Sequence, residues 1–351
     1  MLNRVPKSTR RLPLALILGL LTVTATVRAQ PPVAKASAMS RPAGSAEITP
    51  IDTGWRASTR DRQALWLLST RRLPAAAQAG VPKPFTPDVA RFEPGRGWIH
   101  STLAELLEAG SHAKSTCLFF HGNDTSALAA AEKGEDLYLQ LLGEPRLAAE
   151  VQFVAWSWPS EVPGARVRAS AQANAQRTNV EGYYLASYLR QLAPDVPVHL
   201  CGYCSGARIA TGGVHLLGGG ELAGMRIAAA GTPRRELHGV LLAPALPDDW
   251  LLPGQPHARA VSQFERLVIT VNESDPVLRW FPRTWGRGGP NALGRVGLPE
   301  PARAGADQGK IVQLDFEPVL PRQHSWQYYR SSPQVIALLR QEMLGTRRAH
   351  P

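Results

Sequence analysis

Gly202-Tyr203-Cys204-Ser205-Gly206 sets a thiol midway between two glycines. Ahead of it runs Val198-His199-Leu200-Cys201; behind it, from Ala207, come small residues at helical spacing. A strand that turns directly into a helix around one nucleophile requires this arrangement. The elbow residue occupies a strained turn, and Gly202 and Gly206 let strand and helix approach without side-chain clash. The helix N-terminus favours the thiolate of Cys204, and the Ser205 N–H is free to donate to an oxyanion. The chemistry this predicts is nucleophilic attack on a carbonyl carbon.

The residues that would serve such a nucleophile follow in a workable order. Thr116–Phe120 reads as a strand ending in His121-Gly122-Asn123, where the Asn123 N–H can supply a second oxyanion donor. His121 reads as an organiser of that loop. Leu267–Val271 leads to Asp275, and the loop after Ile311–Phe316 carries His324. The order nucleophile, acid, histidine assigns His324 as the base and Asp275 as the group that fixes its tautomer. Asp248 and Asp249, after an earlier strand, compete for the acid role, and Ser274-Asp275-Pro276 is also turn chemistry. The Ser205 hydroxyl is expected to point away from the elbow tip.

Positioning these groups falls to short apolar runs: Ala64–Ser69, Thr116–Phe120, Val151–Trp156, Val198–Cys201, Leu237–Ala243, Leu267–Val271 and Ile311–Phe316. They are continuous rather than alternating, as suits strands covered on both faces. Helices are expected over Ser126–Leu142, Asn179–Leu192 and Ser205–Leu217, the last stopped by Gly218-Gly219-Gly220. The alternation predicts a mainly parallel α/β sheet, with its chemistry at the carboxyl ends of the strands. Residues 283–309 form an irregular Gly/Pro-rich excursion, readable as a lid or a plain loop, and Trp156, Trp158 and Pro159 as pocket wall or core.

Over most of residues 60–340 the chain resembles the α/β-hydrolase superfamily. It is similar to a poorly characterised exported branch through Trp66–Arg71, His121-Gly122-Asn123, Trp156–Ser160, Leu216–Gly220, Leu242–Ala245 and Ala292–Gly294. The resemblance implies an eight-stranded hydrolase sheet with helices on both faces, and acyl or ester chemistry. Cys204 departs from the serine usual in such relatives, although dienelactone hydrolases are similar in using a cysteine there. The expected function is hydrolysis of an ester, thioester or lactone on a small-molecule acyl substrate. The alternative is a catalytically silent hydrolase fold that binds a ligand at the cell envelope.

Cys201 and Cys204 also stand as Cys-Gly-Tyr-Cys, a redox spacing that admits a thiol–disulfide oxidoreductase or a disulfide that silences the nucleophile. Several strands precede it, which a thioredoxin-like fold would not have. Cys117 is expected inside a strand. No His-Glu-x-x-His pattern or Cys/His pairing is present and no dinucleotide glycine pattern opens a helix, so no metal and no cofactor are expected.

The net charge of +11 does not indicate nucleic acid. Residues 1–29 hold Arg4, Lys7, Arg10, Arg11 and Arg28 and no acidic residue; taking these five from +11 leaves +6, scattered without a basic run. Basic Arg4–Arg11, the apolar stretch Leu12–Val27 and Val27-Arg28-Ala29 together read as a signal peptide over 1–29, so the protein is expected to be exported. A flexible Pro/Ala-rich spacer over 30–50 and one hydrolase-like domain over 51–345 follow. No integral membrane domain is expected beyond the signal segment. The three cysteines exclude a disulfide-built scaffold.

Overall fold

Apolar runs covered on both faces demand a sheet between two helical layers, and the chain builds one. The structure, a computed structural model, describes residues 64–75, 84–143, 150–227, 235–299 and 301–344. The expected signal peptide and spacer lie outside the described residues.

The elements are β1 (Leu65–Ser69), β2 (Asp88–Glu93), β3 (Gly97–Ser101), α1 (Leu103–Ser111), β4 (Ser115–Phe120), α2 (Ala127–Leu142), β5 (Val151–Ser157), α3 (Val167–Leu189), β6 (Val198–Tyr203), α4 (Gly206–Leu217), β7 (Leu237–Leu242), α5 (Ala260–Gln263), β8 (Arg266–Val271), α6 (Phe281–Trp285), α7 (Leu293–Val296), β9 (Ile311–Asp315), α8 (Trp326–Ser331) and α9 (Pro333–Leu344). The strands form one sheet of nine in the order β3-β2-β1-β5-β4-β6-β7-β8-β9. From β1 to β9 every pairing is parallel; β2 and β3 join antiparallel as an N-terminal hairpin.

Two expectations are corrected. The sheet has nine strands rather than eight. The unforeseen hairpin carries Arg91, Glu93 and His100 among its apolar positions, the alternation of strands with one wetter face. The helix expected from Asn179 begins at Val167, since Val167–Thr178 is rich in helix formers but shows no apolar stripe.

Strand periodicity divides the core. In β4, Leu118 and Phe120 enter one apolar cluster with Tyr184 and Leu185 of α3 and Ile209 and Val214 of α4. Cys117 and Phe119 enter the other, with Leu137 and Tyr138 of α2 and Val335 and Leu339 of α9. Helices thus cover both faces. The register pairs Phe120 with Gly202, Gly202 with Leu241 and Leu241 with Ile269, so β4, β6, β7 and β8 end together. Among the described residues no helix is long and apolar enough to cross a membrane.

Candidate active site

β6 ends at Tyr203 and α4 starts at Gly206, which leaves the intervening Cys204 in the left-handed region at φ 54°. A non-glycine residue held there costs on the order of 1–3 kcal/mol, sustained only where the surroundings over-determine it. They do so on both sides. The Cys204 N–H donates to Leu242 O at 2.9 Å, while its carbonyl accepts from Ala207 and Ala245 N–H at 3.2 and 3.1 Å. The flanking glycines are required by contact. A Cβ on Gly206 would lie 2.2 Å from Phe120 O, and one on Gly202 would lie 2.6 Å from Ala207 Cα.

The carboxyl ends of β8 and β9 bring the expected partners to this elbow. Asp275 is wholly buried. Its Oδ1 accepts from Val277 and Leu278 N–H, both at 2.9 Å, and its Oδ2 lies 2.7 Å from His324 Nδ1. With Nδ1 engaged, the opposite edge of the His324 ring is left for Cys204, whose thiolate the His324 charge stabilises. Tyr203 OH donates to His324 O, and the rings of Tyr203 and His324 lie 5.7 Å apart, so the elbow strand itself holds the histidine loop. Asp248 and Asp249 take no part in this contact.

The electrostatics of the pair follow from this enclosure. Burial pushes the Cys204 thiol up, but the His324 charge and hydrogen bond, helped by the Ser205 N–H and hydroxyl, outweigh it and leave the thiol below its ordinary value. Burial likewise pushes His324 down, but the Cys204 thiolate and Asp275 raise it to about 10. Both shifts run in the direction that favours a thiolate beside an imidazolium. Contrary to expectation, the Ser205 hydroxyl stays beside the elbow, 4.0 Å from Cys204 Sγ.

The loop after β4 crosses the same place. A Cβ on Gly122 would meet Cys204 Cβ at 3.0 Å, so the backbone leading into Asn123 lies against the nucleophile. His121 organises this loop: its Nδ1–H donates to Gly122 O at 2.8 Å, and its Nε2 accepts from Trp158 N–H at 3.2 Å. Burial pushes its pKa down to about 3, so it stays neutral. Trp158 donates from Nε1 to His121 O at 2.9 Å, and Trp156 from Nε1 to Glu181 at 3.0 Å; both tryptophans are core.

Sequence reasoning missed Arg71, which ties this loop to the sheet. Its Nε donates to Ser157 Oγ at 2.8 Å and its Nη2 to Thr125 O at 2.6 Å. Its signal in the sequence was its place as the last residue of the Trp66–Arg71 motif, just past a strand end. Cys201 and Cys117 are buried in β6 and β4 with thiols pushed up by burial, and no disulfide joins Cys201 to Cys204. Among the described residues no group of three His, Cys, Asp or Glu side chains could hold a metal ion.

No protein-family model matches the chain, and no curated protein matches it. Among solved structures it is similar to an acetylxylan esterase at 11% identity and TM-score 0.31, over 66% of this chain and 96% of that one. An α/β hydrolase from a Medee basin deep-sea metagenome library is matched at 14% identity and TM-score 0.28, over 69% and 78%. Esterase B from Lactobacillus rhamnosis is matched at 10% identity and TM-score 0.30, over 78% and 81%.

Proposed function

We propose that this chain is an acyl hydrolase that cleaves a small ester, thioester or lactone through Cys204, His324 and Asp275. The observation that carries the reading is the 2.7 Å Asp275–His324 contact, on a histidine whose charge favours the thiolate of a cysteine held at φ 54°. Packing alone gives no reason to strain a cysteine and to surround it with a fixed histidine and a buried carboxylate.

The Cys204 thiolate attacks the carbonyl carbon, and the carbonyl π electrons move to oxygen. The Ser205 and Asn123 N–H groups receive that oxyanion. As the tetrahedral intermediate collapses, the leaving alkoxide or thiolate takes the proton from the His324 imidazolium. Neutral His324 then removes a proton from water, whose hydroxide attacks the thioester on Cys204. Collapse of that intermediate expels the Cys204 thiolate and releases the carboxylic acid, and His324, still carrying the proton taken from water, restores the ion pair. Asp275 holds Nδ1–H throughout. The sequence pattern of residues 1–29 supports an exported enzyme.

The test is turnover of a chromogenic acyl-ester panel under reductant by the wild type, Cys204→Ala and Cys204→Ser. The reading predicts turnover that Ala abolishes and Ser partly restores. Equal background rates in all three would overturn it in favour of a silent binding fold.

A further inference from the structure

Among the described residues, the large apolar side chains left exposed are gathered at one end of the sheet, the end that holds Cys204. Their exposure runs from 37% for Trp285 to 89% for Val167. Leu128 stands in the first turn of α2, just past the Asn123 loop, and Val167 opens α3 after β5. Tyr328 lies in α8, just past His324. Val277, Trp280, Trp285 and Val296 belong to the crossing that leaves β8 through Asp275 and enters β9. Single exposed apolar residues are ordinary; a collection around one site is not.

Hydrogen bonds make the largest part of this rim continuous. Arg168 Nε and Gln172 Nε2 donate to Thr284 O at 3.1 and 2.8 Å, which seats α6 against the start of α3. Asn272 N–H donates to Gly294 O and Leu293 N–H to Leu246 O, both at 2.8 Å, which ties α7 to the carboxyl ends of β8 and β7. The Leu278–Trp280 turn packs against both α6 and α7. Within it the Arg283 guanidinium stacks 4.1 Å over the exposed Trp280, and the Phe281 and Trp285 rings lie 6.1 Å apart.

The same stretch carries charge of one sign. Residues 162–176 and 276–299 contain Arg166, Arg168, Arg279, Arg283, Arg287 and Arg295 and no acidic residue. Among the described residues none of these six pairs with a carboxylate. The carboxylates at this end flank the stretch without interrupting it: Asp124 and Glu161 follow β4 and β5, Glu161 is engaged by Arg71, and Glu273 stands before the segment.

We propose that this end of the molecule docks on an anionic phospholipid bilayer, with Trp280, Trp285 and the exposed valines entering the interface and the arginines meeting headgroup phosphates. Tryptophan suits the headgroup level, where its ring is buried and its N–H stays wet. Each arginine near an anionic surface adds attraction that salt screens. A soluble polyanion would use the arginines but leave Val167, Val277 and Val296 in water, whereas a bilayer takes up both kinds of side chain in one contact. Docked in this way, the end of the sheet that holds Cys204 faces the lipid. That the chain then meets its ester at the bilayer rests on the acyl-hydrolase reading; the docking does not.

Hydrogen–deuterium exchange and vesicle sedimentation on the full chain test the docking, with phosphatidylglycerol–phosphatidylcholine vesicles against phosphatidylcholine alone. The expected result is binding at least tenfold tighter to the anionic vesicles, with amide protection over 276–299 and the start of α3. Trp280→Ala should weaken binding by about tenfold, and Arg279→Gln and Arg287→Gln by about fivefold each. The two arginine variants carry the test if Trp280→Ala does not fold. Equal binding to both vesicles, binding to neither, protection confined to residues 1–29, or affinity unchanged in the variants would overturn the proposal. Soluble heparin protecting the same segment as strongly would overturn it too, in favour of a polyanion site. Docking without turnover of any ester would sink the hydrolase reading and leave the docking standing; ester turnover without vesicle binding would do the reverse.

Discussion

His324 Nδ1 lies 2.7 Å from Asp275 Oδ2, and the same carboxylate accepts two backbone N–H groups through its other oxygen. One buried carboxylate thus fixes both the start of its own loop and the orientation of a histidine 49 residues away in sequence. Because the loop geometry depends on Oδ1 and the histidine on Oδ2, the two roles are separable by substitution.

Asp275→Asn keeps an oxygen for the Val277 and Leu278 N–H groups but presents an amide to His324. The variant should fold and melt cooperatively, while kcat falls by about 10²- to 10⁴-fold because Nδ1–H loses its acceptor. Steady-state kinetics beside a melting curve check this. Asp248→Asn, away from the histidine, should leave kcat within about twofold, a difference worth less than ~0.5 kcal/mol.

The ion pair sets a pH dependence. Cys204 titrates below its ordinary value because His324 stabilises the thiolate, and His324 is raised to about 10 by that thiolate and Asp275. The competent form is lost as pH falls through the lowered thiol value and again as pH rises through about 10. Iodoacetamide labelling of the native protein should therefore rise with pH through a midpoint below the usual thiol value of 9.0. Peptide mapping should find the label on Cys204 alone, since Cys117 and Cys201 are wholly enclosed with thiols pushed up by burial, whereas Cys204 keeps some exposure and a lowered thiol. Labelling with a midpoint at 9 or above would contradict the pairing.

Gly206→Ala tests whether the elbow spacing is a contact requirement. The added Cβ would fall 2.2 Å from the backbone oxygen of Phe120, which cannot rotate away. The expected cost is about 1–3 kcal/mol from overpacking. Chemical denaturation should show a lower midpoint, with activity lost as β4 and α4 separate.

Much of this was legible in the sequence. Glycines two residues either side of Cys204, and one apolar run ahead of each of Asp275 and His324, were enough to nominate the site, because the elbow depends on local backbone geometry. The seven expected strands correspond to β1 and β4–β9; all but the half-buried edge strand β9 are covered on both faces. β2 and β3 escaped notice because their polar residues break the apolar runs. The role of Arg71 could not be read: it closes the Trp66–Arg71 run, but its partners Ser157 and Thr125 are distant in sequence, and no local spacing records such a meeting.

Arg71→Met tests the loop that carries Asn123. It removes the donors to Ser157 and Thr125 while keeping the apolar stem. Loosening the loop that carries the proposed oxyanion donor should lower kcat by about tenfold, well short of the 10²–10³-fold cost of deleting a donor outright. KM should change little. A raised KM at constant kcat would place Arg71 in ground-state substrate binding instead.

Intact-protein mass spectrometry tests for the proposed covalent acyl intermediate on Cys204. The wild type, mixed with a nitrophenyl ester and quenched in acid within the first turnovers, should carry one added acyl group. Digestion should place that group on the peptide holding Cys204, and Cys204→Ala should carry none. Ester turnover with no adduct at any quench time, or an adduct that persists in Cys204→Ala, would contradict it.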